Sequence, residues 1–158
     1  MSNRAIAPVV GVLTLLVLVT ALGGVVAAVV PGTADGTDHL SAALDLEVHE
    51  AGDDWALRLT HTGGDPLELE RLDLVVRIDE VELLHQPDVP FFNIRGFANG
   101  PRGVFNIGAD GTWQAGQSGS FTILTSSNQP AIEPGDTVVV SVYFDDRLIA
   151  EASERVPR

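Results

Sequence analysis

Cysteine is absent from the 158 residues, so no disulfide can brace the fold and no thiolate can act as nucleophile or metal ligand. Lysine is absent too, and all nine basic residues are arginine. Aromatic residues are few (two tryptophans, one tyrosine and six phenylalanines), which leaves a core resting mostly on aliphatic side chains. Acidic residues are missing from the first 34 positions, where Arg4 is the single charge. From Asp35 onward, 22 acids stand against 8 arginines, a net charge of −14. Such a surface repels nucleic acid and anionic lipid headgroups, and argues against both as partners.

What is present begins with an apolar run. Residues 5–30, AIAPVVGVLTLLVLVTALGGVVAAVV, carry no charge. As a helix rising ~1.5 Å per residue they would extend about 39 Å, longer than the ~30 Å hydrocarbon core of a bilayer. Pro31-Gly32 then breaks the pattern, and the chain turns polar with TADGTD. No polar face exists, so a buried globular helix does not fit. Three spanning readings remain. A secretory signal peptide cut after Gly32-Thr33-Ala34 fits poorly, because the run is about twice the usual h-region of 7–15 residues and one positive charge precedes it. A permanent anchor would keep Arg4 inside. A pilin-type leader would be cut before the run, which would survive as an assembly helix.

The stretch Arg4-Ala5-Ile6-Ala7-Pro8-Val9-Val10-Gly11, opening a long aliphatic segment, resembles the N-terminus of archaeal type IV pilin precursors, the haloarchaeal ones above all. The absence of lysine and the acidity also resemble proteins of extreme halophiles, since concentrated salt shortens the Debye length to ~3 Å and makes close carboxylates tolerable. The resemblance implies leader processing at Arg4, Ala5, Pro8 and Gly11, with a prepilin peptidase cutting between Arg4 and Ala5. It also implies a pilus assembly machinery and further pilin subunits as partners.

Helix geometry agrees with that cut. A helix leaves its first four N–H groups without intrahelical partners. If the chain begins at Ala5, Pro8 falls within those four, and the carbonyl its ring would strike belongs to the removed Arg4. A helix starting at Ser2 would lose ~3 kcal/mol to Pro8, whereas one starting near Ala7 also accommodates it. Small residues recur four apart at Ala7 and Gly11, Gly23 and Ala27, and Gly24 and Ala28, spacing that lets apolar helices approach closely. Val9 stands where bacterial type IV pilins carry an acid, so the bacterial assembly chemistry is not carried over.

After a linker at 31–41 the period changes to two. Leu44, Leu46 and Val48 alternate with Asp45, Glu47 and His49. Beyond AGDD at 51–54, Trp55, Leu57 and Leu59 alternate with Ala56, Arg58 and Thr60, so 42–62 reads as a hairpin. Leu67 and Leu69 hold odd positions, while Leu72, Leu74, Val76 and Ile78 hold even ones. That flip at Glu70-Arg71 predicts a bulge or a bend between sheets. Residues 86–111, rich in Pro, Gly and Asn and holding Phe91, Phe92, Phe97 and Phe105, read as short strands and loops over a core edge. Asp110-Gly111 suits a tight hairpin turn before Trp113. Residues 118–125, 137–144 and 147–153 complete seven or more short strands. The expected class is mainly β: a long N-terminal apolar α-helix followed by an antiparallel immunoglobulin-like β-sandwich headpiece at 42–158. Two stretches, residues 61–67 and 132–138, also resemble haloarchaeal pilin headpieces.

Nothing in the sequence assembles a catalytic or metal site. His39, His49, His61 and His85 show no i, i+4 spacing for zinc. His61 shares parity with Trp55, Leu57 and Leu59, which predicts a hydrogen-bonded structural residue at the inner edge of a strand. Asp35 with Asp38, and Asp145 with Asp146, could offer oxygens to a cation but lack an EF-hand pattern and read as acidic turns. Ser118, Ser120, Ser126 and Ser127 have no G-x-S-x-G elbow. No cofactor, metal or catalytic residue is expected, and none of the five asparagines opens an N-x-S/T sequon. The expectation is therefore non-enzymatic: a membrane-inserted precursor with an extracytoplasmic headpiece, assembled through its helix into a cell-surface filament serving adhesion by resemblance. A membrane-anchored extracytoplasmic binding domain that forms no filament is the alternative.

Overall fold

The structure, a computed structural model, describes residues 40–157. The expected leader at 1–4 and helix at 5–30 lie outside the described residues, as does most of the linker.

The first paired strands follow from the alternation at 44–59. β1 (Ala42–Ala51) and β2 (Asp54–Gly64) form an antiparallel hairpin. Leu46 faces Leu59 and Val48 faces Leu57 on the buried side, while Glu47 faces Arg58 on the outer side. The loop is two residues long, and Gly52 takes φ +75 at its first central position, the demand of a II′ turn. The chain then passes β3 (Leu67–Glu68) and a 3₁₀ turn at Leu69–Arg71 before β4 (Leu72–Ile78).

That 3₁₀ turn is the bend the parity flip implied. It rotates the chain so that Leu69 and Leu72 both point inward, and it carries the backbone from one sheet to the other. A two-residue loop at 79–80 leads to β5 (Val81–Glu82). β6 (Arg102–Gly103), β7 (Thr112–Trp113), β8 (Ser118–Ile123), β9 (Thr137–Phe144) and β10 (Arg147–Arg155) follow.

The strands make two four-stranded antiparallel sheets, ordered β1-β2-β8-β6 and β10-β9-β4-β5, with a small β3-β7 pair. In the first, Leu57 lies opposite Phe121 and Trp55 opposite Ile123. In the second, Leu74 faces Val142, Val76 faces Val140 and Ile78 faces Val138. These inner rows join in one apolar cluster. Burying such side chains contributes about 1.5–3 kcal/mol each, which is how a domain without disulfides stands on its core.

The region 86–111 is held by side chains that stand in for strand pairing. Gln86 bonds both the N–H and the C=O of Val76 through its amide, at 2.7 and 3.1 Å. Asn128, almost wholly buried, accepts from the His85 N–H and donates to its C=O. Phe91, Phe97 and Phe105 fold inward against Phe121, with Phe97 meeting it edge to face at 5.4 Å. Phe105 meets Trp113 edge to face at 5.1 Å. Only Phe92 of the four stays exposed.

The Asp110-Gly111 hairpin does not form. Gly111 is left-handed at φ +75, yet the segments beside it pair elsewhere, β6 with β8 and β7 with β3. The Gly111 carbonyl accepts from Leu69 N–H. Trp113, fully buried beside Phe105 and His61, is seated by that pairing, and its burial outweighs the local turn preference.

Candidate functional site

The sequence-derived site residues Arg4, Ala5, Ala7, Pro8, Gly11, Gly23, Gly24, Ala27 and Ala28 all lie outside the described residues. Among the described residues no helix is long and apolar enough to cross a membrane. No three of His, Asp and Glu converge there in a way that could hold a metal ion. Asp145 is engaged by Arg71, whose guanidinium hydrogen-bonds it and holds its carboxyl below the usual carboxylate range. The same guanidinium lies 4.1 Å over the Phe144 ring.

His61 sits at the inner edge of β2 as its parity predicted, fully buried with its ring centroid 5.7 Å from that of Trp113. The expected side-chain hydrogen bond is a correction. Neither ring nitrogen reaches a hydrogen-bond partner among the described residues. The backbone bonds at this position, His61 N–H to Gln117 and Gly116 N–H to His61, fix the strand, and the imidazole lies beside the Trp113 ring. Burial pushes its pKa down, and the peptide group and charge of Asp65 oppose that more weakly.

A feature the sequence reading missed lies on the outer face of the β1-β2-β8-β6 sheet. Strand register aligns Glu47, Arg58, Ser120 and Arg102 in one row across four strands. His49, Ala56 and Thr122 form the next row. The segment 98–101 rises beside them, tied to β8 by the Ala98 N–H bond to Thr122, and closes a groove of about 240 Å³. Arg58 and Arg102 flank Ser120 two strand spacings apart, about 10 Å between backbones.

No acidic residue lines this groove. In a segment, 35–158, of net charge −14, that is a local reversal of sign. Arg58 meets Glu47 only at 3.8 Å, with the Arg58 side chain 53 % exposed. By contrast Arg71 engages Asp145 and Glu68, and Arg77 engages Glu82 and Ser141. Chemically the groove can hold an oxyanion between two planar guanidinium forks with hydroxyls at its floor. Arg58 was legible as an outward residue of β2. Arg102 was not, because its strand lies in the irregular stretch whose pairing no periodicity announces.

No family model matches the chain, and no curated protein matches it.

Proposed function

We propose that the chain is a structural, non-enzymatic subunit of an archaeal type IV pilus-like surface filament. The observation that carries this reading is the sequence Arg4-Ala5-Ile6-Ala7-Pro8-Val9-Val10-Gly11 leading into the uncharged run 5–30. A prepilin peptidase cuts at Arg4–Ala5, the helix leaves lipid, and the assembly machinery packs it against identical helices. Apolar burial that lipid supplied is then supplied by neighbours, with Ala7, Gly11, Gly23, Gly24, Ala27 and Ala28 permitting close approach. The headpiece forms the outer wall and serves surface attachment. The two antiparallel sheets around one core support an immunoglobulin-like reading of that headpiece.

Intact mass of the protein taken from cell surfaces tests this. A chain beginning at Ala5 is expected, with Arg4→Ala leaving full-length precursor in the membrane. A chain beginning at Met1, Ser2 or Asp35 ends the pilin reading. The second reading, a resident membrane-anchored binding domain, is favoured by the arginine-flanked groove. Electron microscopy of sheared surface material separates the two, since only a pilin subunit appears in filaments.

A further inference from the structure

The groove and the acidic turns of this domain are chemically complementary, and they lie on different parts of it. Three paired hairpins end in two-residue loops, and those at 79–80 and 145–146 carry only acids. At 79–80 the Asp79 carboxylate accepts from the Thr137 N–H at 2.9 Å, which holds the loop in place. Glu80 beside it is exposed with no partner among the described residues. Val81 and Leu84, next along the chain, are 57 % and 67 % exposed. This tip thus joins a carboxylate to two exposed apolar side chains with no arginine in the loop or β5, whereas at 145–146 Arg71 engages Asp145 and Arg147 follows Asp146 directly, so that tip brings its own positive charge to a groove lined by arginines. The groove offers the counterpart: two guanidinium groups above apolar walls that include Ala56, Ala98 and Pro101.

We propose that the groove between Arg58 and Arg102 receives the Glu80 tip of a second copy of this chain. Groove and tip are separate surfaces in different sheets, so each copy can offer its tip to one neighbour and its groove to another, and in the filament reading the contact is heterologous in this way. A heterologous contact that does not close generates an open helical array, and in this respect the inference rests on the filament reading. Carboxylate recognition by paired arginines also suits concentrated salt. Long-range attraction is screened there, but a bidentate contact at hydrogen-bond distance survives.

The test uses the full-length chain, whose lack of cysteine lets a single Asn99→Cys at the groove wall carry a thiol-directed photocrosslinker. Labelled chain is mixed with isotopically heavy chain, in detergent and in sheared filaments, and irradiated. The expected product joins residue 99 of one copy to the 79–84 peptide of the other. Arg102→Glu lowers its yield about tenfold, as expected for reversing one partner of a partly enclosed pair. Adding Glu80→Arg to that variant restores the yield. Absence of the adduct, its formation elsewhere, or failure of the charge swap to restore it overturns the proposal. So does displacement of Arg102-dependent signals by free succinate with no intermolecular adduct, which would mark a small-carboxylate site. Filaments without the adduct sink the groove contact and leave the pilin reading standing, and an adduct in detergent without filaments does the reverse.

Discussion

His61 shows how a single buried side chain makes stability depend on pH. Its ring is fully buried with neither nitrogen satisfied, and burial lowers its pKa from the ordinary 6.5. Above 6.5 the imidazole is neutral in both folded and unfolded chains, and stability is insensitive to it. As pH falls below 6.5 the unfolded chain takes up a proton that the folded chain refuses, so stability is lost down to the depressed folded pKa. Denaturant midpoints measured from pH 7.5 to 5 are expected to fall for the natural chain and to fall less for His61→Leu. At pH 7.5 that variant should be as stable, or about 1 kcal/mol more stable, because an unsatisfied polar group leaves the core. Gly119 is a second residue-scale control. A Cβ there would strike the Phe105 ring face, which lies directly against the glycine. Gly119→Ala is expected to cost about 1–3 kcal/mol through overpacking. Phe105→Leu in the same chain should recover part of that loss, and additive losses in the double-mutant cycle would refute the contact.

Elements that repeat with period two were legible at once, and their hairpins followed. Strands expected at 42–62, 137–144 and 147–153 appear as β1-β2, β9 and β10; inner and outer residues alternate most clearly in β2, while in the edge strand β10 only Ala152 is buried. The loops that join β4 to β5 and β9 to β10 take positive φ at both central residues, Asp79 and Glu80 at 46 and 72, Asp145 and Asp146 at 48 and 63. Such I′ loops favour Asn-Gly or Asp-Gly. Asp146→Gly converts the second to Asp-Gly while sparing the Asp145–Arg71 pair. It is expected to raise stability by about 0.5–1 kcal/mol, since an L-residue in the left-handed region is disfavoured by ~1–2 kcal/mol; a lower unfolding midpoint would contradict that. The opposite case is Asp110-Gly111, where an equally good local signal yields no hairpin. Trp113 and Leu67 pair across β7 and β3 instead, and both are fully buried.

Across the whole molecule, charge is the least balanced quantity. Among the described residues Arg58, Arg71 and Arg77 pair with Glu47, Glu68, Asp145 and Glu82, and 20 acids there stand against 7 arginines. Exposed pairs of this kind contribute little each, so mutual repulsion of the remaining carboxylates governs the response to salt. Lowering salt from molar concentration to ~0.1 M lengthens the Debye length from ~3 to ~10 Å. The thermal midpoint is expected to fall across that range and any filaments to loosen. A midpoint that stays constant removes the charge argument.

Period and composition by themselves determined that a mainly β domain follows the apolar segment, and which face turns inward along 44–48, 55–59 and 72–78. They did so because alternation is a local property that burial must respect. The tertiary structure decided where residues 83–117 go, because Phe91, Phe97, Phe105 and Trp113 find their places only against β8 and His61, far away in sequence. It also decided the arginine groove. Arg58 and Arg102 are 44 positions apart, and they become neighbours only through a shared strand, with Ser120 between them.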